Sequence, residues 1–498
     1  MATPVWPARK GRGRGVKRPS PARGAAARGL KIDNYREELS GLTLAASAVF
    51  CAPRADAAND AMTDLLKVLK EQGTITQEAY EQLSGASKAD DEANTADAAQ
   101  VKQAAQTLPK IETKGKLEFA TPDGDFSWRL GGRIHVDAAF HDNDDGTTQA
   151  TDFHSGVDAR RARLDLTATL WRAWMFKIQY DFADSGATID DGLRDAYLRY
   201  LYKGAQPFSV TVGQFKEYLG LESLTSSNDI TFIERALPSP TFHGKDGRRL
   251  GLGVSTYGHD IWTASAGVFG RNASGEDFGG LEAEQSDPLV FMGRLTVSPW
   301  HTTNRILHLA FAGSWNSSDD NRVRFRQRPE SNVTSVDRLV NTDTFDVDTM
   351  VRYGAEAAGV YGPFSMQGEY LRAEVNRHIS LNPDVGFDGW YVFGSWIITG
   401  ESRAYKFEDG VFQNPKPYGI VGKGGIGAWE LVARYSTLDL SDEDIIGGEE
   451  NNVTMGLNWY PTPNFKFMAN YVRVLDVKGG GFDGAEPDTF QLRAQAYW

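Results

Sequence analysis

From Arg161 to Leu170 apolar and polar side chains alternate without a break. Ala162, Leu164, Leu166, Ala168 and Leu170 share one face; Arg161, Arg163, Asp165, Thr167 and Thr169 share the other. A period of two marks a strand, whose successive side chains point to opposite faces. The pattern recurs at 174–182, 288–297 and 428–435. It recurs again at the end, where Phe490, Leu492, Ala494, Ala496 and Trp498 oppose Gln491, Arg493, Gln495 and Tyr497. From residue 115 onward about sixteen such segments follow one another. They begin near Phe126, Asp158, Ala173, Leu193, Pro207, Arg248, Asp260, Pro288, Asn304, Asp348, Phe364, Asp388, Gly427, Asn452, Asn464 and Pro487. Connections are tight at 257–260, 361–363 and 460–463, and long at 217–246, 316–347 and 402–425. Short turns at one end, long loops at the other and Trp or Tyr at segment ends predict an all-β fold. It is a sixteen-stranded antiparallel transmembrane β-barrel, with the apolar face on lipid and the polar face on a water-filled lumen. A soluble β-sandwich explains the alternation but not the aromatic ends. The last strand must pair with the first, near Phe126 to Asp137, to leave no open edge.

The chain before the barrel reads differently. Residues 1–57 combine a basic extension, a short apolar stretch at 42–52 and Ala55-Asp56-Ala57, the layout of a secretory signal cut before Ala58. The basic part is unusually long, which points to a start downstream of Met1. Residues 58–114 predict a periplasmic helical, coiled-coil-like segment. Leu65, Leu66, Val68 and Leu69 form an apolar face, Gly73 ends it, and Thr74-Ile75-Thr76-Gln77 has the spacing of a capping box. The stretch 85–110 is either a linker or a polar helix. The apolar face either self-associates or belongs to a frayed tail. Residues 115–498 are the expected barrel.

Composition narrows the classes. The chain has 498 residues, 41% hydrophobic and 24% charged, with 52 Gly and 11% aromatics, and no apolar run reaches the length of a spanning helix. A barrel needs no such run. Cys51, in the signal region, is the only cysteine, which removes disulfides, thiolate metal sites and cysteine catalysis from the mature chain. Residues 1–57 carry eleven Lys/Arg against four Asp/Glu, so without them the formal charge falls from -13 to -20. A chain this acidic is a poor nucleic-acid binder. No metal spacing, nucleophile turn or phosphate loop is present, so neither an enzyme nor a cofactor is expected.

The polar faces nevertheless carry many bases. Arg129, Arg133, Arg161, Arg163, Lys177, Arg199, Arg294, Arg352 and Arg434 are expected to face the lumen, where they would select anions. Lys216 and Arg235 belong to the segment around 217–246. Arginine suits oxyanions because its planar fork donates two hydrogen bonds and keeps its charge. Asp137, Asp165, Asp181, Asp195, Glu356 and Glu430 interleave with these bases and are expected to neutralise about half of them.

Three stretches, 213–238, 427–440 and 457–474, together with the helical 65–83, resemble the phosphate-selective porin O/P family. The resemblance covers essentially everything after the signal. It implies a homotrimer of sixteen-stranded barrels in the outer membrane of a Gram-negative bacterium. It also implies an inward loop after the fifth strand, and a C-terminal strand ending in Trp498 that the barrel-assembly machinery reads. Phosphate-selective members are expected to carry lysines where this chain has Ser223 and Asn228; Arg235 is kept. The expected function is passive diffusion of small anions, phosphate among them, with Arg235 and Arg294 as leading pore residues. The rivals are a general or other-nutrient porin, and a closed barrel serving as an envelope tether or adhesin.

Overall fold

The computed structural model describes residues 52–113, 116–144, 149–184, 191–243, 247–274, 288–317, 322–333, 335–377 and 382–498. The basic stretch and most of the apolar core of the expected signal, Cys51 included, lie outside the described residues. The chain divides at Leu108 into two units.

The first unit holds two helices, α1 (Ala52–Glu71) and α2 (Gln77–Thr107). Thr76, rather than Thr74, caps α2. Its backbone stays extended and its hydroxyl accepts from the Ala79 N–H at 3.2 Å. The polar stretch after residue 85 is helical. Leu66 is buried, whereas Leu65 and Val68 are about half exposed.

The second unit is a closed antiparallel barrel of sixteen strands. They are β1 (Phe126–Asp142), β2 (Gly156–Leu170), β3 (Trp174–Asp181), β4 (Leu193–Tyr202), β5 (Phe208–Lys216), β6 (Arg248–Gly258), β7 (Trp262–Phe269) and β8 (Leu289–Thr302). They continue as β9 (Arg305–Ser317), β10 (Thr349–Tyr361), β11 (Phe364–Asn376), β12 (Val385–Ile397), β13 (Ala428–Asp442), β14 (Ile445–Thr462), β15 (Phe465–Lys478) and β16 (Asp488–Tyr497). Each pairs with the next, and β16 closes on β1. The seam differs from the expected 126–137. Leu117–Ala120 pairs with Ser127–Leu130 of β1, so β16 takes Arg133–Asp142 instead. Trp498 finishes the seam through backbone bonds to Gly132. A Cβ on Gly132 would come within 2.4 Å of the Trp498 ring, so a larger residue there would displace the ring.

Apolar strand residues such as Phe311, Leu295 and Leu492 are exposed on the outer wall, while Arg294, Arg434 and Arg493 on the other parity are buried inside. The lumen is less uniformly polar than alternation predicts. Toward the long-loop end, Leu371, Val375, Phe387 and Leu438 point inward and pack on Leu237, Phe242, Phe325 and Val340 of two infolded connections. The protein's main apolar core therefore lies inside the barrel. The connection at 402–425 is also placed differently. Strand order puts it between β12 and β13, at the short-turn end, where it folds into the barrel as a hairpin (Ala404–Lys406 against Val411–Gln413). Val411 and Phe412 pack there on Leu221, Ile306 and Val360, which gives this connection an interior anchor.

Candidate functional site

Residues 217–243 of the connection from β5 to β6 cross the barrel and are held from nearly every side. Glu217 at its root binds Arg249 at 2.6 Å and Arg352 at 3.0 Å. Burial opposes ionisation of Glu217, but Arg352 and Arg249 outweigh it and hold the carboxyl down to about 2. Gly220 turns with φ +72, a conformation that favours glycine. The N–H groups of Leu221 and Glu222, which open a one-turn helix, donate to the Glu369 carboxylate at 2.8 and 2.6 Å. Further along, Lys466 donates to the Ile230 carbonyl, Asn458 to Thr231, Arg434 to Glu234 and Gln495 to Asn228. These partners sit on β11, β13, β14, β15 and β16, so the segment forms a fixed neck rather than a hanging loop.

A second infolded segment descends from the β9–β10 connection. Its tip residue Glu330 (φ 50) is buried against the wall, accepting from Arg434, Ser436 and Thr454. Ahead of it, Val323 and Phe325 enter the apolar core, while Arg324, Arg326 and Arg328 alternate onto the other face. Arg338 joins them. Burial and then the like charges of Arg328, Arg326 and Arg324 lower it to about 10.

Below the neck a cavity of about 730 Å³ runs toward the short-turn end. Arg129, Arg133, Arg161, Arg163, Lys177, Arg199, Lys216, Arg235 and Arg294 all line it, with Lys203, Arg248 and Lys406. Arg352 and Arg434 do not. Arg352 is buried against Glu217, and Arg434 lies between Glu330 and Glu222. The lining bases divide by partner. Arg163 pairs with Asp181 and Lys177 with Asp195, each at 2.6 Å. Arg294 makes a two-pronged pair with Glu356 at 2.9 and 2.6 Å and also donates to hairpin carbonyls 409 and 410. Lys216 donates to three carbonyls at the end of the one-turn helix, and Arg235 to the carbonyls of Glu222 and Thr225. These two cap the neck's own backbone.

Arg129, Arg133, Arg161 and Arg199 have no carboxylate of the described residues within the 4.0 Å of an ion pair. Arg133 donates to Ser227 at 2.9 Å and to Ser226 at 3.4 Å, and Arg161 lies 3.5 Å from His135. The buried Nε hydrogens of Arg133 and Arg161 meet no partner among the described residues. Neither guanidinium is neutralised by a carboxylate of the described residues in contact with it, and Arg133 shares its donors with two hydroxyls of the neck. Asn228, where a lysine is expected, instead meets His135 at 3.2 Å, and Ser223 is buried in the one-turn helix.

Sequence reasoning missed several of these groups. Arg160 lies on the apolar parity of its strand. A register shift between His135 and Asp137 opposite it breaks the alternation and lets it pair inward with Glu234 at 2.8 Å. The series Arg322, Arg324, Arg326, Arg328 has a period of two and was the available signal for the upper cluster. Ser226 and Ser227 carry no signal apart from the motif around them.

Residues 129–498 match the family model described as phosphate-selective porin O and P. The chain is similar to porin O of Pseudomonas aeruginosa, at 28% identity over 421 residues, 77% of this chain and 91% of that protein. It is also similar to an uncharacterised protein of Caulobacter vibrioides, at 28% identity over 376 residues, 74% of this chain and 72% of that one. Among solved structures, an anion-selective porin from Comamonas acidovorans aligns with a TM-score of 0.46 and 13% identity, over 75% of this chain and all of that one.

Proposed function

Because this chain belongs to the phosphate-selective porin O and P family, we propose that it is a passive outer-membrane channel for small anions, with phosphate as a substrate. The observation that carries the reading is the charge of the cavity below the neck: twelve lining Lys and Arg against Glu118, Asp195, Glu408 and Asp409. Low-dielectric walls bearing one sign of charge concentrate the opposite ion, even in a protein that is acidic overall. The upper arginines gather anions and pass them to Arg160 and Arg161. Arg133, Arg161, Ser226 and Ser227 form a seat at the neck. With Ser223 and Asn228 in place of ammonium groups, the seat relies on guanidinium and hydroxyl donors, which favours passage over tight retention.

In this reading residues 1–57 direct secretion and 58–114 stand in the periplasm. Three copies assemble in the outer membrane, and the strand ending in Trp498 is what the assembly machinery recognises. A general porin without phosphate preference is the second reading, favoured by the commitment of Lys216 and Arg235 to backbone carbonyls. Block of chloride current by phosphate in a planar bilayer separates the two. Millimolar phosphate should block the native channel and block Arg133→Ala less. Absence of block in the native channel supports the general porin.

A further inference from the structure

The cavity below the neck has two unlike walls. Bases on β1 to β4 form one side. On the other, aromatic rings and hydroxyls run in continuous contact. The Arg199 guanidinium lies 4.9 Å from the centre of the Tyr197 ring, where the basic wall meets the aromatic one. Tyr197 then meets Phe215 at 6.3 Å, and Phe215 meets Tyr218 at 5.8 Å. Ser255 donates to the Tyr218 hydroxyl at 3.2 Å. Tyr257 lines the same cavity, and both it and Tyr197 keep part of their surface open.

A hydrated inorganic oxyanion gains nothing from aromatic faces, since its whole surface seeks hydrogen-bond donors. Tyr197 and Tyr257, the rings of this wall that stay partly open, forgo burial that a carbon-bearing solute would supply. Convergent charged donors beside apolar and aromatic surface are what a small organic molecule with one anionic end requires. From this juxtaposition we infer that the cavity takes organic anions with a ring-shaped carbon body. The anionic group sits against Arg199, the base that borders the Tyr197 ring, and the carbon body lies against the open parts of Tyr197 and Tyr257. The inference rests on the anion-channel reading above and names the class of solute that the same channel prefers.

The test compares inorganic phosphate with phenyl phosphate as blockers of chloride current through the full chain in a planar bilayer. In alkaline buffer both heads are dianions, so the two differ by the ring. Phenyl phosphate should half-block at about a tenfold lower concentration, the effect of burying one ring face. Tyr257→Ser together with Tyr197→Ser should abolish the difference, while Tyr257→Phe, which keeps the ring, should retain it. If phenyl phosphate blocks no more tightly than phosphate, or if the serine pair leaves its advantage unchanged, the inference is overturned. The wild-type comparison decides even if the serine variants do not insert. A cation-selective native channel would instead remove the anion reading itself.

Discussion

Arg493 on the last strand grips Asp137 on the first through two hydrogen bonds of 2.7 and 2.6 Å, across the seam that closes the barrel. The two are direct register partners, and both side chains are buried. The same guanidinium reaches the neck, donating to the Ile233 carbonyl and to Glu234. One side chain thus ties closure of the wall to the position of the constriction. Arg493→Ala leaves two buried carboxylates short of a partner and should cost about 3–5 kcal/mol. The temperature at which the folded barrel loses its compact gel mobility should fall clearly. An unchanged transition would refute the coupling.

Arg133 and Arg161 should separate from Arg352 in their effects. Replacing Arg133 or Arg161 with Ala removes donors that no carboxylate neutralises, so anion permeability relative to cations should drop severalfold by Coulomb reasoning, with little change in stability. Replacing Arg352 strips Glu217 of a buried partner, and should cost stability by about 3 kcal/mol or more while selectivity holds. Paired reversal-potential and thermal-unfolding measurements check both. Loss of selectivity in Arg352→Ala with native stability would reverse the assignment.

The hairpin at the short-turn end should act as a second narrowing. Arg294 holds it through the carbonyls at 409 and 410, and Tyr405 binds His308 at 2.7 Å. Excising residues 404–413 should raise single-channel conductance and weaken discrimination between anions of different size. Arg294→Gln, which loosens the hairpin, should raise current noise. Equal conductance with and without the hairpin would place the narrowing entirely in the neck.

Acid should weaken the anchor at Glu217. Its carboxyl is held down to about 2 in the folded chain, below the 4.5 of a free glutamate. A depressed folded value means that the stabilisation is complete above about pH 4.5 and disappears as pH falls toward 2. The gap corresponds to about 3 kcal/mol. Thermal stability should therefore decline between pH 4.5 and 2, and Glu217→Gln should flatten that part of the profile. A profile identical to the native one would show that other groups control the acid transition.

The strands were legible because one face of each must meet lipid. Every strand start read from the alternation has a counterpart in the barrel, with the largest offset at β14, where Ile445 rather than Asn452 opens the strand. What stayed hidden depends on departures from that alternation. Arg160 points inward only because the register shifts beside it. Leu371, Val375 and Phe387 are apolar on the lumen side because they clasp infolded connections, which a rule of polar lumens does not foresee. The hairpin at 404–413 looked like one more outer loop, since length alone does not say at which end a connection lies. At the site, parity picked out bases that line the cavity, but not their commitments. Arg235 and Arg294, the leading expectations, spend their donors on carbonyls and Glu356, while Arg133 and Arg161 meet hydroxyls and His135 rather than a carboxylate.

The central claim is that the lumen favours anions. The direct measurement is the reversal potential of the purified chain in a planar bilayer across a potassium chloride gradient. The excess of bases along the cavity predicts a potential of the sign set by chloride, moving toward zero when Arg133 and Arg161 are both replaced by Ala. A potential of the sign set by potassium would contradict the account.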